Sequence, residues 1–232
     1  MTGNQVAKPS KKIIIAIDGF SGCGKSTLAK DLSAALHYTH IDTGALYRAI
    51  TLYCIHQNID VHDVDSVKSA LSDAEINLVV DGHTTKTMLN GEDVTNRIKN
   101  PDVAAKVSDI AKIGAVRSHL KDIQQSYGQN MGVVMDGRDI GTVIFPQAEL
   151  KLFVIANIEE RSNRRLLEMK EKGVTYTYEE VKANLLKRDN IDSSREEAPL
   201  KRADDAIIID TTYLSRKEQL DKALALAAEV IK

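Results

Sequence analysis

A glycine-rich turn ending in Gly24-Lys25-Ser26 is the part of this sequence best suited to chemistry. The stretch Gly19-Phe20-Ser21-Gly22-Cys23-Gly24-Lys25-Ser26-Thr27 has two glycines five residues apart, then a lysine and a hydroxyl, and it follows the β-branched run Ile13 to Ile17. A strand that hands over to a helix through such a turn points successive backbone N–H groups inward, where they wrap a polyphosphate. A lysine at position 25 reaches the terminal phosphates, and the Ser26 hydroxyl suits Mg²⁺, a hard cation that prefers oxygen ligands.

Four further segments carry cations next to carboxylates. Asp42-Thr43-Gly44-Ala45-Leu46-Tyr47-Arg48 opens a helix, with Thr43 placed to cap it and Arg48 about one turn inside. Asp136-Gly137-Arg138-Asp139-Ile140-Gly141-Thr142 has a glycine on each side of Arg-Asp, as expected where backbone passes close to a ligand. The segment Lys187 to Ala203 is dense in charge, and Arg161, Arg164 and Arg165 precede a Tyr-rich loop containing Gly173, the makings of a mobile lid. Phosphoryl transfer needs this kind of equipment: positioning, neutralisation of charge and exclusion of water.

Short apolar strands separated by helices must position these groups. Strands are expected at 13–17, 38–41, 132–136, 150–155 and 206–210, and helices at 27–36, 45–57, 158–172 and 179–189. The closing helix carries Leu220, Ala223, Leu224, Ala227 and Ile231 as one apolar stripe. This alternation predicts an α/β fold, with a five-stranded parallel sheet covered by helices on both faces. Ligands of such sheets bind beyond the carboxyl ends of the strands, so Asp18, Asp42, Asp136 and Asp210, at or just past strand ends, are candidates for one cleft. The rhythm is interrupted by alternating strands at 76–81 and 86–89 and a mostly helical stretch at 103–125, read as an insertion over 61–130. The core then comprises 11–60 and 131–232, with the lid within about 158–195, and residues 1–10 form a loose polar tail.

Composition narrows the class. With 232 residues, 43% hydrophobic and 28% charged, the chain is an ordinary globular protein with a sizeable core. A net charge of −2 argues against a nucleic-acid polymer or a membrane surface as the main partner. No apolar run approaches the length of a membrane span or a secretory segment. The two cysteines, Cys23 and Cys54, offer neither a disulfide framework nor metal-ligand spacing, which fits a cytoplasmic protein. A guanine-reading Asn-Lys-x-Asp motif, which a nucleotide-dependent switch would need, does not occur.

Taken together, Ile17-Asp18-Gly19…Gly24-Lys25-Ser26, Asp42 to Arg48, Asp136 to Pro146, Arg188-Asp189…Asp192-Ser193…Arg195…Ala198-Pro199-Leu200 and Ala203 to Ala206 closely resemble the bacterial cytidylate kinase family, in order and over nearly the whole chain. Phe20 stands where that family often has proline, Thr43 where serine is common, and Ile191 where some members carry arginine. The resemblance implies a P-loop kinase core, an inserted α+β acceptor-binding domain and a helical lid. It implies transfer of the ATP γ-phosphoryl group to CMP or dCMP with Mg²⁺ as cofactor, by a monomer. By matching positions, Gly19, Phe20, Ser21, Gly22, Cys23, Gly24, Lys25, Ser26 and Thr27 would hold ATP, with Arg161 and Arg165 in the lid. Thr43, Arg48, Ser108, Arg117, Arg138, Asp139, Arg188, Asp192 and Arg195 would hold CMP. Lys25, Arg138 and Arg195 would stabilise the moving charge, and Ser26 and Asp136, the latter through water, would face the metal.

Overall fold

The computed structural model describes residues 11–82, 84–129, 132–171 and 173–231; the expected tail at 1–10 lies outside the described residues. Five parallel strands form the central sheet: β1 (Ile14–Gly19), β2 (Thr39–Asp42), β6 (Val133–Asp136), β7 (Leu150–Ile155) and β8 (Ile207–Asp210), in the order β2-β6-β1-β7-β8. β1, β6 and β7 are apolar runs rather than alternating ones, as a sheet covered on both faces requires. On one face α1 (Lys25–Leu36) and α8 (Arg216–Val230) bury Leu28, Leu32, Ala223 and Ala227 against Ile15, Ile17 and Val154. On the other, α2 (Thr43–His56) packs Leu46 and Ile50 against Ile41 and Met135.

Register sets up the site. Asp42 lies opposite Asp136, and Ile17 also lies opposite Asp136 on its other side, so the carboxyl ends of β2, β6 and β1 stand level on one rim. Gly19 lies opposite Val154. Its φ is +149°, and a Cβ there would sit 2.0 Å from the Val154 carbonyl oxygen, so only glycine permits the approach.

Between α2 and β6 the chain builds α3 (Val64–Ala70), an antiparallel sheet of β3 (Ile76–Asp81), β4 (Thr84–Leu89) and β5 (Glu92–Asp93), then α4 (Pro101–Ile110) and α5 (Gly114–Ser126). Ile76 and Leu78 are buried, while Asn77 and Val79 face solvent, the two-residue period of a half-covered strand. This block shares its apolar core with α2 and the central sheet, since Ile76, Leu89, Val103 and Ile110 belong to the same cluster as Leu46 and Met135.

The helical stretch expected at 103–125 is two helices, broken at 111–113. After β7 come α6 (Ile158–Glu171) and α7 (Tyr178–Ser194). α7 opens with a capping box, in which Thr177 accepts from the Glu180 N–H and the Glu180 carboxylate accepts from the Thr177 N–H. It runs past the expected end at 189, so the first part of the charged segment is helix. Val181, Leu185, Asp189 and Asp192 share its buried face at helical spacing, which turns the two acids inward.

Candidate functional site

The turn after β1 keeps Gly22 and Gly24 at φ +74° and +91°, the left-handed conformations that let the backbone curl before α1. Lys25, the first residue of α1, is buried and donates to the Phe20 carbonyl at 2.7 Å. Burial, and then the neighbouring Arg138 charge, pull its ammonium below the usual lysine range. The Ser26 hydroxyl donates to Asp136 Oδ2 at 2.6 Å, and His40 Nε2 lies 2.7 Å from Asp136 Oδ1. Burial alone would raise the Asp136 carboxyl, but the bonds from His40 and Ser26 and the charge of Lys25 hold it below the ordinary value. Burial likewise works to lower His40, and the Asp136 bond outweighs it, so the imidazole is raised.

Thr43 does not cap α2. It is already helical, Asp42 is the residue at the cap, and the Thr43 hydroxyl donates across the rim to the Asp136 carbonyl at 2.8 Å. α2 then projects Arg48, which donates to Asp42 at 2.6 Å.

A crevice of about 550 Å³ opens beside these groups, within the size range of small-ligand sites. It is lined by the phosphate-loop residues Ser21, Gly22, Gly24, Lys25, Ser26 and Thr27, by Thr43, Arg48, Asp136, Arg138 and Asp139, by Ser108 and Arg117 from α4 and α5, and by Arg165, Arg188, Asp192 and Arg195. The arginines are matched to carboxylates. Arg138 donates to Asp192 at 2.8 Å and to the Ser21 hydroxyl at 2.9 Å. Arg117 pairs with Asp139 and lies over the Tyr47 ring, 5.5 Å from its centre. Arg195 lies 3.6 Å from both Asp139 and Asp192 and donates to the Ala198 carbonyl at 2.7 Å. Arg188 differs: each of Arg48, Arg117 and Arg195 also has one buried nitrogen without a hydrogen bond, but Arg188 alone of these has no carboxylate partner among the described residues, and burial, then repulsion from Arg138, lowers its pKa to about 10. A guanidinium left unpaired among other cations is a place for an anion.

Four of the expected residues do not line the crevice. Gly19, Phe20 and Cys23 face away from the crevice: Cys23 is buried in the core with Leu28 and Val154, Gly19 lies against Val154, and Phe20 packs edge-on against Phe153 with ring centres 6.0 Å apart. Arg161 is buried beneath the loop, donating to the Ser21 carbonyl at 3.0 Å and pairing with Asp189, which in turn accepts from the Ser21 N–H at 3.1 Å. The four acids at strand ends also separate. Asp42 and Asp136 line the crevice, Asp18 is buried against the backbone after β6, and Asp210 turns aside to bind the N–H and hydroxyl of Thr212. Arg164, read in the sequence only as part of the lid helix, also lines the crevice and ties α6 to the segment after β8 through the Thr211 carbonyl at 2.7 Å. Its spacing of three residues from Arg161 was the available signal. His40, Tyr47 and Asp189 acquire their partners only through tertiary packing.

Comparison with known proteins agrees with this architecture. The family model described as cytidylate kinase matches residues 15–229. The chain is 50% identical over 214 residues to a cytidylate kinase of Parabacteroides distasonis, covering 90% of this chain and 93% of that one. It is 48% identical to a cytidylate kinase of Bacteroides fragilis, covering 96% and 99%, and 48% identical to one of Caldicellulosiruptor bescii, covering 96% and 98%. A match of this length and identity, on a parallel sheet whose rim carries the glycine-rich turn and the arginine array, means that the chain belongs to the cytidylate kinase family.

Proposed function

We propose that this enzyme transfers the γ-phosphoryl group of ATP to CMP or dCMP, giving ADP and CDP or dCDP. The observation that carries the reading is Arg138, whose guanidinium joins the two ends of the crevice by donating to Ser21 in the phosphate loop and to Asp192 on α7. In this reading the backbone of 19–27 cradles the donor phosphates, and Lys25, Arg138 and Arg195 follow the charge of the transferring group. Arg48 and Arg138 hold the acceptor phosphate. Arginine suits the task because it donates bidentately to phosphate oxygens.

Asp139, beside Arg117 and Ser108, accepts from the exocyclic amine of cytosine, which uracil lacks. A site built around that donor rejects a base without it because its buried acceptor is left unpaired. Asp192 and Arg188 reach the ribose, and Thr43 steadies the rim. The block 61–130 supplies the acceptor wall, 11–60 and 131–232 the core, and 158–195 the lid that excludes water, with Arg161 and Arg165 on it.

The donor set at the rim fits Mg²⁺: a hydroxyl and a carboxylate oxygen, Ser26 Oγ and Asp136 Oδ2, 2.6 Å apart beside the loop, with the carboxyl held ionised. When bound, Mg²⁺ neutralises charge on the donor phosphate oxygens. Both cysteines are free and buried, which supports a reducing, cytoplasmic setting.

A panel of nucleoside monophosphates assayed with ATP and Mg²⁺ tests the reading. CMP and dCMP should turn over at least about a hundredfold faster than UMP, on the scale expected for a site that hydrogen-bonds the missing group. Equal rates with UMP would overturn the account of base reading.

A further inference from the structure

Asp18 stands one residue before the end of β1 and is 5% exposed. Its carboxylate touches no crevice group. Oδ1 accepts the Ile140 N–H and Oδ2 the Gly141 N–H, each at 2.8 Å. Those amides open a short π-helical turn, Ile140–Ile144, that begins directly after Arg138 and Asp139. The first N–H groups of a helical turn have no partner within it, and here a side chain from another strand satisfies both. The turn is closed from within, the Val143 N–H donating to the Asp139 carbonyl at 2.8 Å and the Phe145 N–H to the Ile140 carbonyl at 2.7 Å. Beneath it, Lys151 of β7 donates to the Pro146 carbonyl at 2.7 Å, and its stem passes so close that a Cβ on Gly141 would lie 3.1 Å from Lys151 Cδ. π-helical turns of this kind occur mostly at functional sites.

We propose that Asp18 is a positioning residue: its ionised carboxylate, clamped on the Ile140 and Gly141 amides, holds Arg138 and Asp139 in register with the phosphate loop that begins one residue later. The inference rests on the reading of the crevice as the site of phosphoryl transfer to CMP. The charged groups acting on Asp18 are Asp139 from the turn and Lys25 from α1, while the ammonium of Lys151 on β7, whose stem passes the same turn, is engaged by Asp205 and the Pro146 carbonyl. Burial, partly offset by the two amides, raises the Asp18 carboxyl to about 6. Protonation removes one of the two acceptors, and the clamp loosens in mild acid.

Asp18→Asn keeps the volume but turns an N–H₂ toward one of the two amides. At pH 8 it should lower kcat/KM for CMP at least about tenfold, the scale of a slightly misplaced reacting group, and leave the affinity for a non-hydrolysable ATP analogue within about twofold. The ratio of wild-type to variant rates, in which ionisation of the substrate phosphate cancels, should fall toward one as pH drops from 8 to 5. A merely structural role predicts equal losses for both nucleotides and a ratio independent of pH, and either result would overturn the proposal. The wild-type protein supplies a measurement that needs no variant and no turnover. The ¹⁵N–¹H resonances of Ile140 and Gly141 should titrate together with a midpoint near 6, and two amides that stay flat between pH 5 and 7 would also overturn it. A chain whose amides titrate but which does not phosphorylate CMP would instead refute the reading of the reaction.

Discussion

Lys25 and Arg138 line one crevice from two different elements, α1 and the turn after β6, and in the proposed reaction they meet at one phosphate; each carries a charge that burial makes costly to leave unused. Replacing either with alanine should cut kcat by at least about a hundredfold while circular dichroism reports an unchanged fold, because both act on charge that grows in the transition state. Asp192 is held by Arg138 and Arg195 at the acceptor end, so Asp192→Ala should reduce kcat/KM for CMP more than for dCMP, the difference measuring the 2′-hydroxyl. The pair of His40 and Asp136 has a consequence for stability. The folded imidazole titrates above its unfolded value, so its stabilising contribution is complete below about pH 6.5 and is lost as pH rises through the folded pKa. Urea midpoints of the wild type should therefore be higher at pH 6 than at pH 8, and His40→Asn should flatten that difference. Lys25, Ser26, Arg138 and Asp139 were legible as crevice residues because each sits in a glycine-punctuated motif at a strand end, although their partners Asp136, Asp192 and Arg117 lie far away in the chain. The pairing of Arg161 with Asp189 was not, since two exposed-looking charges on separate helices reveal nothing of each other until the helices pack.

Elements were legible where periodicity and punctuation agree. β1 and α1 follow from an apolar run, a glycine turn and a helical stripe, and α8 from the stripe Leu220, Ala223, Leu224, Ala227 and Ile231, of which Ala223 and Ala227 are buried. α7 was read too short because its inner face carries Asp189 and Asp192, which look like solvated charge until Arg161, Arg138 and Arg195 are seen to neutralise them. The π-helical turn had no local signal at all, its opening amides being satisfied by a residue more than a hundred positions away. At this scale the sharpest test is Gly19→Ala. The added methyl group would meet the backbone of the neighbouring strand, Val154, which cannot move without parting β1 from β7. A loss of more than about 3 kcal/mol in unfolding free energy, or failure to accumulate as soluble protein, is expected; a variant as stable as wild type would refute the close approach.

Over the whole molecule, one sheet rim gathers groups from residue 21 to residue 195, and the block between α2 and β6 joins the same apolar core rather than standing apart. The parallel sheet was readable from alternation of strand and helix, whereas the sharing of that core was not, because it depends on how β3, β4 and α4 dock on α2. Ligands that bind only the folded chain must stabilise it. Saturating ATP with Mg²⁺, and separately CMP, should each raise the melting temperature, and Arg195→Ala should abolish the CMP increment while keeping that of ATP.

Most guanidinium groups in the crevice already face an internal carboxylate: Arg48 with Asp42, Arg138 with Asp192, Arg117 with Asp139, Arg165 with Glu168. The protein thus carries its own counter-ions, and an incoming phosphate must displace them one by one. Binding in the proposed site is thus an exchange of one ion pair for another, and the carboxylates set free must find water or the nucleotide's own donors as the anion settles.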